Sequence, residues 1–95
     1  MKNILVIAGT RPEAIKMAPV VRALRARPDE FTVQLCSSGQ HQQMLEQTLA
    51  DFNLKPDIAL QVMTGGQTLA SLSGRLFDAV DALLVKLVPD IVLVQ

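Results

Sequence analysis

The chain alternates short unbroken apolar runs with longer stretches in which apolar residues return every three or four positions. Ile4-Leu5-Val6-Ile7-Ala8 is the first such run. Its lack of polar alternation predicts a parallel strand covered on both faces, over residues 2–8. Ala14, Ala18, Val21 and Leu24 then lay an apolar stripe along a helix expected from Arg11 to Arg27. Pro19 falls inside that helix and lacks a backbone donor, so a kink or local break is expected there. Pro28-Asp29-Glu30 forms the exit loop, and a second strand follows from Thr32 to Cys36. Ser37-Ser38-Gly39 turns into a second helix over residues 40–51, on which Leu45, Leu49 and Phe52 recur at helical spacing. Asn53 is its expected C-terminal cap, with Pro56 three residues further on. Ile58 to Val62 reads as a short third strand. A third helix is expected from Gln67 to Leu87. Leu69, Leu72, Leu76, Val80, Leu83 and Leu87 line one face of it, while Ser71, Arg75, Asp78 and Lys86 fall elsewhere. Pro89 ends it, and Ile91-Val92-Leu93-Val94 is a second buried strand.

Strands that alternate with helices imply an α/β fold, with parallel strands joined by right-handed crossovers. The expected architecture is a doubly wound parallel sheet, about half of a Rossmann-like domain, with strand order 3-2-1-4. In such a sheet a ligand crevice lies outside the carboxyl ends of strands one and four, where the winding direction reverses. No internal repeat or low-complexity stretch interrupts the pattern.

Composition narrows the partners more than it narrows the fold. At 95 residues the chain is one domain at most, and 49% hydrophobic residues supply a core. Nine basic and nine acidic residues cancel, so no basic excess points to nucleic acid or to an anionic membrane. The three aromatic residues are all Phe, which argues against a base-stacking platform. Cys36 is the single cysteine. It excludes an internal disulfide and fits a reducing cytosol. The run at residues 4–8 is too short to span a membrane, and no signal-peptide pattern surrounds it. The chain reads as soluble and cytoplasmic.

Candidate chemistry concentrates where the first strand meets the first helix. A buried strand that turns through Gly9-Thr10 into a helix builds an anion site, because the first helical amides have no intrahelical acceptor. Thr10 and Glu13 have capping-box spacing, and so do Ser37 and Gln40. Glu13 is thereby explained as a cap rather than a catalytic acid. Arg11 places a cation at the helix end where the dipole does not favour one. A bound phosphate or carboxylate is the simplest reason for it; a solvated loop charge is the plainer one. Lys16 sits three residues after Glu13, the spacing of a surface ion pair. On an ideal helix it points about 140° away from Arg11, so spacing alone does not aim both at one ligand. His41 is the lone histidine, with no partner at metal-ligand spacing, and its position reads as polar cover in a first helical turn. Gly65-Gly66 lacks the spacing of a dinucleotide fingerprint or a phosphate loop. Arg75 is expected to pair with Asp78 on the outer face of the third helix.

The stretch Gly9-Thr10-Arg11-Pro12-Glu13-Ala14-Ile15-Lys16-Met17-Ala18-Pro19 resembles the opening signature of the non-hydrolysing UDP-N-acetylglucosamine 2-epimerases. Gln40-His41-Gln42-Gln43-Met44-Leu45 resembles that family's second helix start. Gly66-Gln67-Thr68-Leu69, with Pro89-Asp90-Ile91-Val92-Leu93-Val94 behind it, resembles its third helix and fourth strand. The likeness covers essentially the whole chain. It implies the N-terminal portion of the first Rossmann-like domain of a glycosyltransferase-B-like, two-domain enzyme, ending just before a Gly-Asp-Thr turn. The rest of that domain and the second domain are expected elsewhere in a protein several times longer. The implied reaction is C2 epimerisation of UDP-N-acetylglucosamine to UDP-N-acetylmannosamine for cell-surface polysaccharide precursors. UDP leaves to form a glycal and adds back, with no redox cofactor or metal. The resemblance implies substrate contacts from Arg11 and Lys16, and a regulatory UDP-N-acetylglucosamine contact from Gln40 and Gln43. It assigns no catalytic residue to this stretch, and it implies a homodimer for the full-length protein. One departure is Gly66, where relatives often place an arginine; a charge contact to the regulatory molecule is missing there.

Three other readings share these features. A hydrolysing epimerase would release UDP and free N-acetylmannosamine. A related glycosyltransferase would pass the sugar to an acceptor. A nucleotide-binding module without catalysis would need only the strand-turn-helix site.

Overall fold

A computed structural model of the chain describes residues 1–38, 42–60 and 68–94, apart from the side chains of residues 42, 43 and 69. Four strands and three helices alternate: β1 (Lys2–Ala8), α1 (Arg11–Arg25), β2 (Phe31–Ser37), α2 (Gln42–Asp51), β3 (Ile58–Ala59), α3 (Leu69–Leu87) and β4 (Ile91–Leu93). The strands form one parallel sheet in the order β3-β2-β1-β4, as the alternation predicted.

The unbroken apolar character of β1 has the expected cause. Ile4 and Val6 face one core, with Ala14, Met17, Ala18 and Val21 of α1 and Leu45 and Leu49 of α2. Leu5 faces the opposite core, with Cys36 of β2 and Leu83 of α3. Both faces of the strand are therefore covered, and Ile4, Leu5 and Val6 are buried. Each fully buried Leu or Val here stabilises the fold by roughly 1.5–3 kcal/mol of transfer free energy.

The caps expected at the start of α1 and the end of α2 are met, α3 gains a cap that its sequence did not suggest, and other local expectations are revised. Asn53 takes the left-handed conformation of a helix cap at φ 60°. Leu54 N–H reaches back to the Leu49 carbonyl at 2.9 Å, closing the end of α2. Thr68 caps α3, its hydroxyl accepting from Ser71 N–H at 3.0 Å. Glu13 caps α1. By contrast, α1 runs through Pro19 without interruption and stops at Arg25 rather than Arg27. Pro19 is exposed, so its ring is turned away from the core. The expected pair of Arg75 and Asp78 is not formed; the ion pairs among the described residues are Arg25–Asp57 at 2.8 Å and Arg27–Glu30 at 3.3 Å. At the end of α3 the left-handed position is held by Val88, at φ 45° and ψ 58°, a strained place for a β-branched residue. Of the third strand expected over residues 58–62, Ile58 and Ala59 are in the sheet, and residues 61–67 lie outside the described part.

The tripeptide Pro-Asp-Ile occurs twice, at residues 56–58 and 89–91, and both copies start a strand in the same way. Asp57 donates its N–H to the Leu35 carbonyl at 2.7 Å, and its carboxylate accepts Leu35 N–H at 2.7 Å. Asp90 does the same to Asn3, at 2.8 Å and 2.7 Å. Each aspartate brackets one residue of the neighbouring strand and so fixes where the parallel ladder begins. Proline before it has no N–H to lose and biases the chain toward extended backbone. Arg25 completes the first bracket through its ion pair to Asp57.

Candidate functional site

The carboxyl ends of the strands converge where the alternation placed the crevice. Ser38 N–H bonds the Ala8 carbonyl at 3.1 Å, and Leu60 N–H bonds the Ser37 carbonyl at 2.8 Å. Leu93 pairs with Val6, which sets the end of β4 beside the end of β1. Gly9 and Ser38 are half-buried at this edge, and Ser37 is buried. Ser37 and Ser38 were read from sequence as no more than a turn and a cap. No local spacing links them to Gly9, because sheet order alone makes the two turns neighbours.

The turn from β1 into α1 is held by Glu13. Its Oε2 accepts Gly9 N–H at 2.6 Å and Thr10 N–H at 2.8 Å. Thr10, the N-cap, is extended at φ −132° and ψ 165°, and its carbonyl accepts Ala14 N–H at 3.0 Å. Pro12, the second helical residue, has no N–H to offer. The arrangement revises the anion site expected from sequence. Two of the amides at this strand-helix junction are already bonded to a carboxylate of the chain itself.

Arg11 follows at once, as the first residue of α1. It is exposed and joins no ion pair among the described residues. A guanidinium free in this position can offer a two-pronged contact to a phosphate or carboxylate. Lys16 is exposed as well. Ala14, Met17, Ala18 and Val21 mark the side of α1 that packs on the sheet. At about 100° per residue, Arg11 lies beside that stripe and Lys16 nearly opposite it. The regular helical turns between them keep the two cations on separate sides. Gln40 and His41 lie outside the described residues, as does Gly65-Gly66; Gln43 is placed in α2 with its side chain outside the described part.

Among the described residues, other reactive groups do not gather here. Cys36 is buried in β2, and desolvation pushes its thiol from its ordinary 9.0 up to about 11. At neutral pH it is a protonated core residue rather than a nucleophile. Among the described residues no three of His, Cys, Asp and Glu stand close enough to hold a metal ion. No helix among them is long and apolar enough to cross a membrane.

Comparison with known proteins gives this edge a context. A family model described as UDP-N-acetylglucosamine 2-epimerase matches residues 22–95. The chain belongs to the UDP-N-acetylglucosamine 2-epimerase family. Within that family, a relative from Ralstonia nicotianae is 46% identical over 95 residues, which is 100% of this chain and 25% of the relative. The UDP-N-acetylglucosamine 2-epimerase of Yersinia pestis is 43% identical over 93 residues, 98% of this chain and 24% of its own. The crystal structure of UDP-GlcNAc 2-epimerase from Neisseria meningitidis bound to UDP-GlcNAc superposes with a TM-score of 0.88 at 38% identity. It covers 97% of this chain and 25% of that one. The chain thus spans about a quarter of the length of the relatives it matches.

Proposed function

We propose that this chain is the N-terminal portion of the first Rossmann-like domain of a cytoplasmic, two-domain enzyme, and that it supplies part of a UDP-sugar site. The enzyme interconverts UDP-N-acetylglucosamine and UDP-N-acetylmannosamine. Loss of the C2 proton and cleavage of the C1–O bond to UDP give a glycal. UDP adds back at C1 as a proton returns to C2 on the other face. No redox cofactor or metal takes part, and the product feeds cell-surface polysaccharide synthesis. The observation that carries the reading is Arg11: exposed, free of ion pairs among the described residues, and set on a pinned turn at the carboxyl end of β1. The Neisseria relative bound to UDP-GlcNAc supports the same ligand chemistry.

In this reading Arg11 grips the diphosphate, and Lys16 is a separate substrate contact. Gln40 and Gln43 contact a second, regulatory UDP-N-acetylglucosamine. Gly66 removes a charge contact that an arginine would supply to that molecule. The groups that move protons at C2 belong to the remaining three quarters of the enzyme, which works as a homodimer.

The test is to give the complete enzyme UDP-N-acetylglucosamine and follow C2 by NMR. Appearance of UDP-N-acetylmannosamine is expected. Release of free N-acetylmannosamine would make it a hydrolysing epimerase, and no turnover would leave a nucleotide-binding module. Residues 1–95 alone should show no turnover, since one wall of a cleft cannot complete a catalytic constellation.

A further inference from the structure

We infer that Glu13 is a positioning residue that serves as the site's own anion. It fills the amide nest at the end of β1 and thereby commits Arg11 to receiving the ligand's phosphate. The inference rests on the reading above that Arg11 contacts the UDP-sugar.

Strand-turn-helix junctions ordinarily seat a phosphate on backbone N–H groups. At this junction the same oxygen of Glu13 collects the N–H groups of Gly9 and Thr10, at 2.6 Å and 2.8 Å. Both distances are short for N–H···O bonds, as expected for a carboxylate acceptor. Gly9 and Glu13 are both half-buried, so the Gly9 bond is partly shielded from competing water, while the Thr10 bond is exposed. A phosphate cannot occupy the same two amides while the carboxylate is there, and a second anion beside it is repelled. Pro12 removes one further donor from the first turn. The charged group left to meet an incoming phosphate is the Arg11 side chain, exposed one residue beyond the pinned Thr10. Glu13 therefore performs two tasks with one set of bonds. It holds the Gly9-Thr10 backbone that aims Arg11, and it keeps small phosphate ions from lodging in the nest.

Glutamate is needed at this position for reach and for an acceptor oxygen. Glutamine has the same length and can present one oxygen to both N–H groups, so it should preserve the aim of Arg11. Aspartate is one methylene short and alanine has no acceptor. Neither can bridge Gly9 and Thr10.

The experiment measures steady-state kinetics of the complete enzyme in Glu13→Ala, Glu13→Gln and Arg11→Ala, with inorganic phosphate as a competing ligand. Glu13→Ala should raise KM for UDP-N-acetylglucosamine about tenfold with kcat nearly unchanged, since ground-state and transition-state contacts through Arg11 are lost alike. Its opened nest should also make it at least about tenfold more sensitive to inorganic phosphate than the wild type. Glu13→Gln should keep a KM close to wild type. A wild-type KM in Glu13→Ala overturns the inference. So does a raised KM with unaltered phosphate sensitivity, the behaviour of a helix cap alone. If Glu13→Ala does not fold, Glu13→Asp carries the KM test, and a wild-type KM there overturns the inference equally. Arg11→Ala separates the two levels. Should Arg11→Ala leave KM unchanged, the site assignment itself fails. Should it raise KM while the Glu13 variants do not, this inference alone fails.

Discussion

Two strands with near-identical apolar runs end in opposite environments. Ile4-Leu5-Val6 of β1 is buried on both faces, under α1 and α2 on one side and α3 on the other. Ile91 and Val92 of β4 are 43% and 39% exposed. α3, which covers the second face of β1 through Leu83, leaves its own Phe77 and Val85 largely open, at 74% and 73%. Apolar sequence states a demand for cover, and position in the sheet decides whether the demand is met. The centre of this sheet meets it; the β4 edge pairs with β1 alone. The packed half is also the half that carries Glu13 and Arg11, so the candidate site rests on backbone held by the core.

The strongest way to break the contrast is to delete the same kind of bulk on each side. Leu35→Ala in β2, 1% exposed, should cost about 2–5 kcal/mol of stability by urea unfolding. Phe77→Ala on α3 should stay within about 0.5 kcal/mol in this chain. Equal costs would mean that the outer half is packed as tightly as the inner.

A smaller effect is expected at the two strand brackets. Asp57→Ala removes the acceptor of Leu35 N–H and the partner of Arg25, and Asp90→Ala removes the acceptor of Asn3 N–H. Each should cost about 1–2 kcal/mol, below the full value of a charged hydrogen bond because both aspartates are exposed to screening water. The loss at Asp57 should be the larger, since it has the additional partner. Amide exchange at Leu35 and Asn3 reads out which bracket has opened. Smaller still, and opposite in sign, Val88→Gly should stabilise by about 1 kcal/mol by relieving the left-handed strain at φ 45°. No gain in midpoint would mean that Val88 packing offsets the strain.

Much of the packed half was legible in the sequence. β1, the Glu13 cap, the Asn53 turn and the strand order all follow from signals within a few residues of one another, or from alternation along the chain. What escaped reading depends on residues far apart in sequence. Arg25 and Asp57 are expected partners only once β2 and β3 are neighbours. The recurrence of Pro-Asp-Ile went unread because three residues do not stand out until both copies are seen gripping an adjacent strand. The run at residues 91–94 read as buried because periodicity reports character and is silent about neighbours. Val88 misled for a different reason: helix ends usually advertise left-handed backbone with glycine or asparagine, and here Pro89 alone marks the stop. Within the site, Arg11 and Glu13 were both legible. That Glu13 would take Gly9 N–H as well as Thr10 N–H was not, because the reach of a carboxylate past its own cap depends on the turn geometry.

The central claim is that the packed half presents the ligand-binding cation and the open half does not. Arg11 and Arg75 test it directly, being exposed arginines without ion pairs among the described residues, one at the start of α1 and one on the open outer side of α3. The measurement is kcat/KM for UDP-N-acetylglucosamine in the complete enzyme carrying Arg11→Ala or Arg75→Ala. The account predicts a loss of about 1.5–3 kcal/mol, roughly ten- to 150-fold, for Arg11→Ala and a change within about twofold for Arg75→Ala. A wild-type value for Arg11→Ala, or a larger loss for Arg75→Ala, would contradict it.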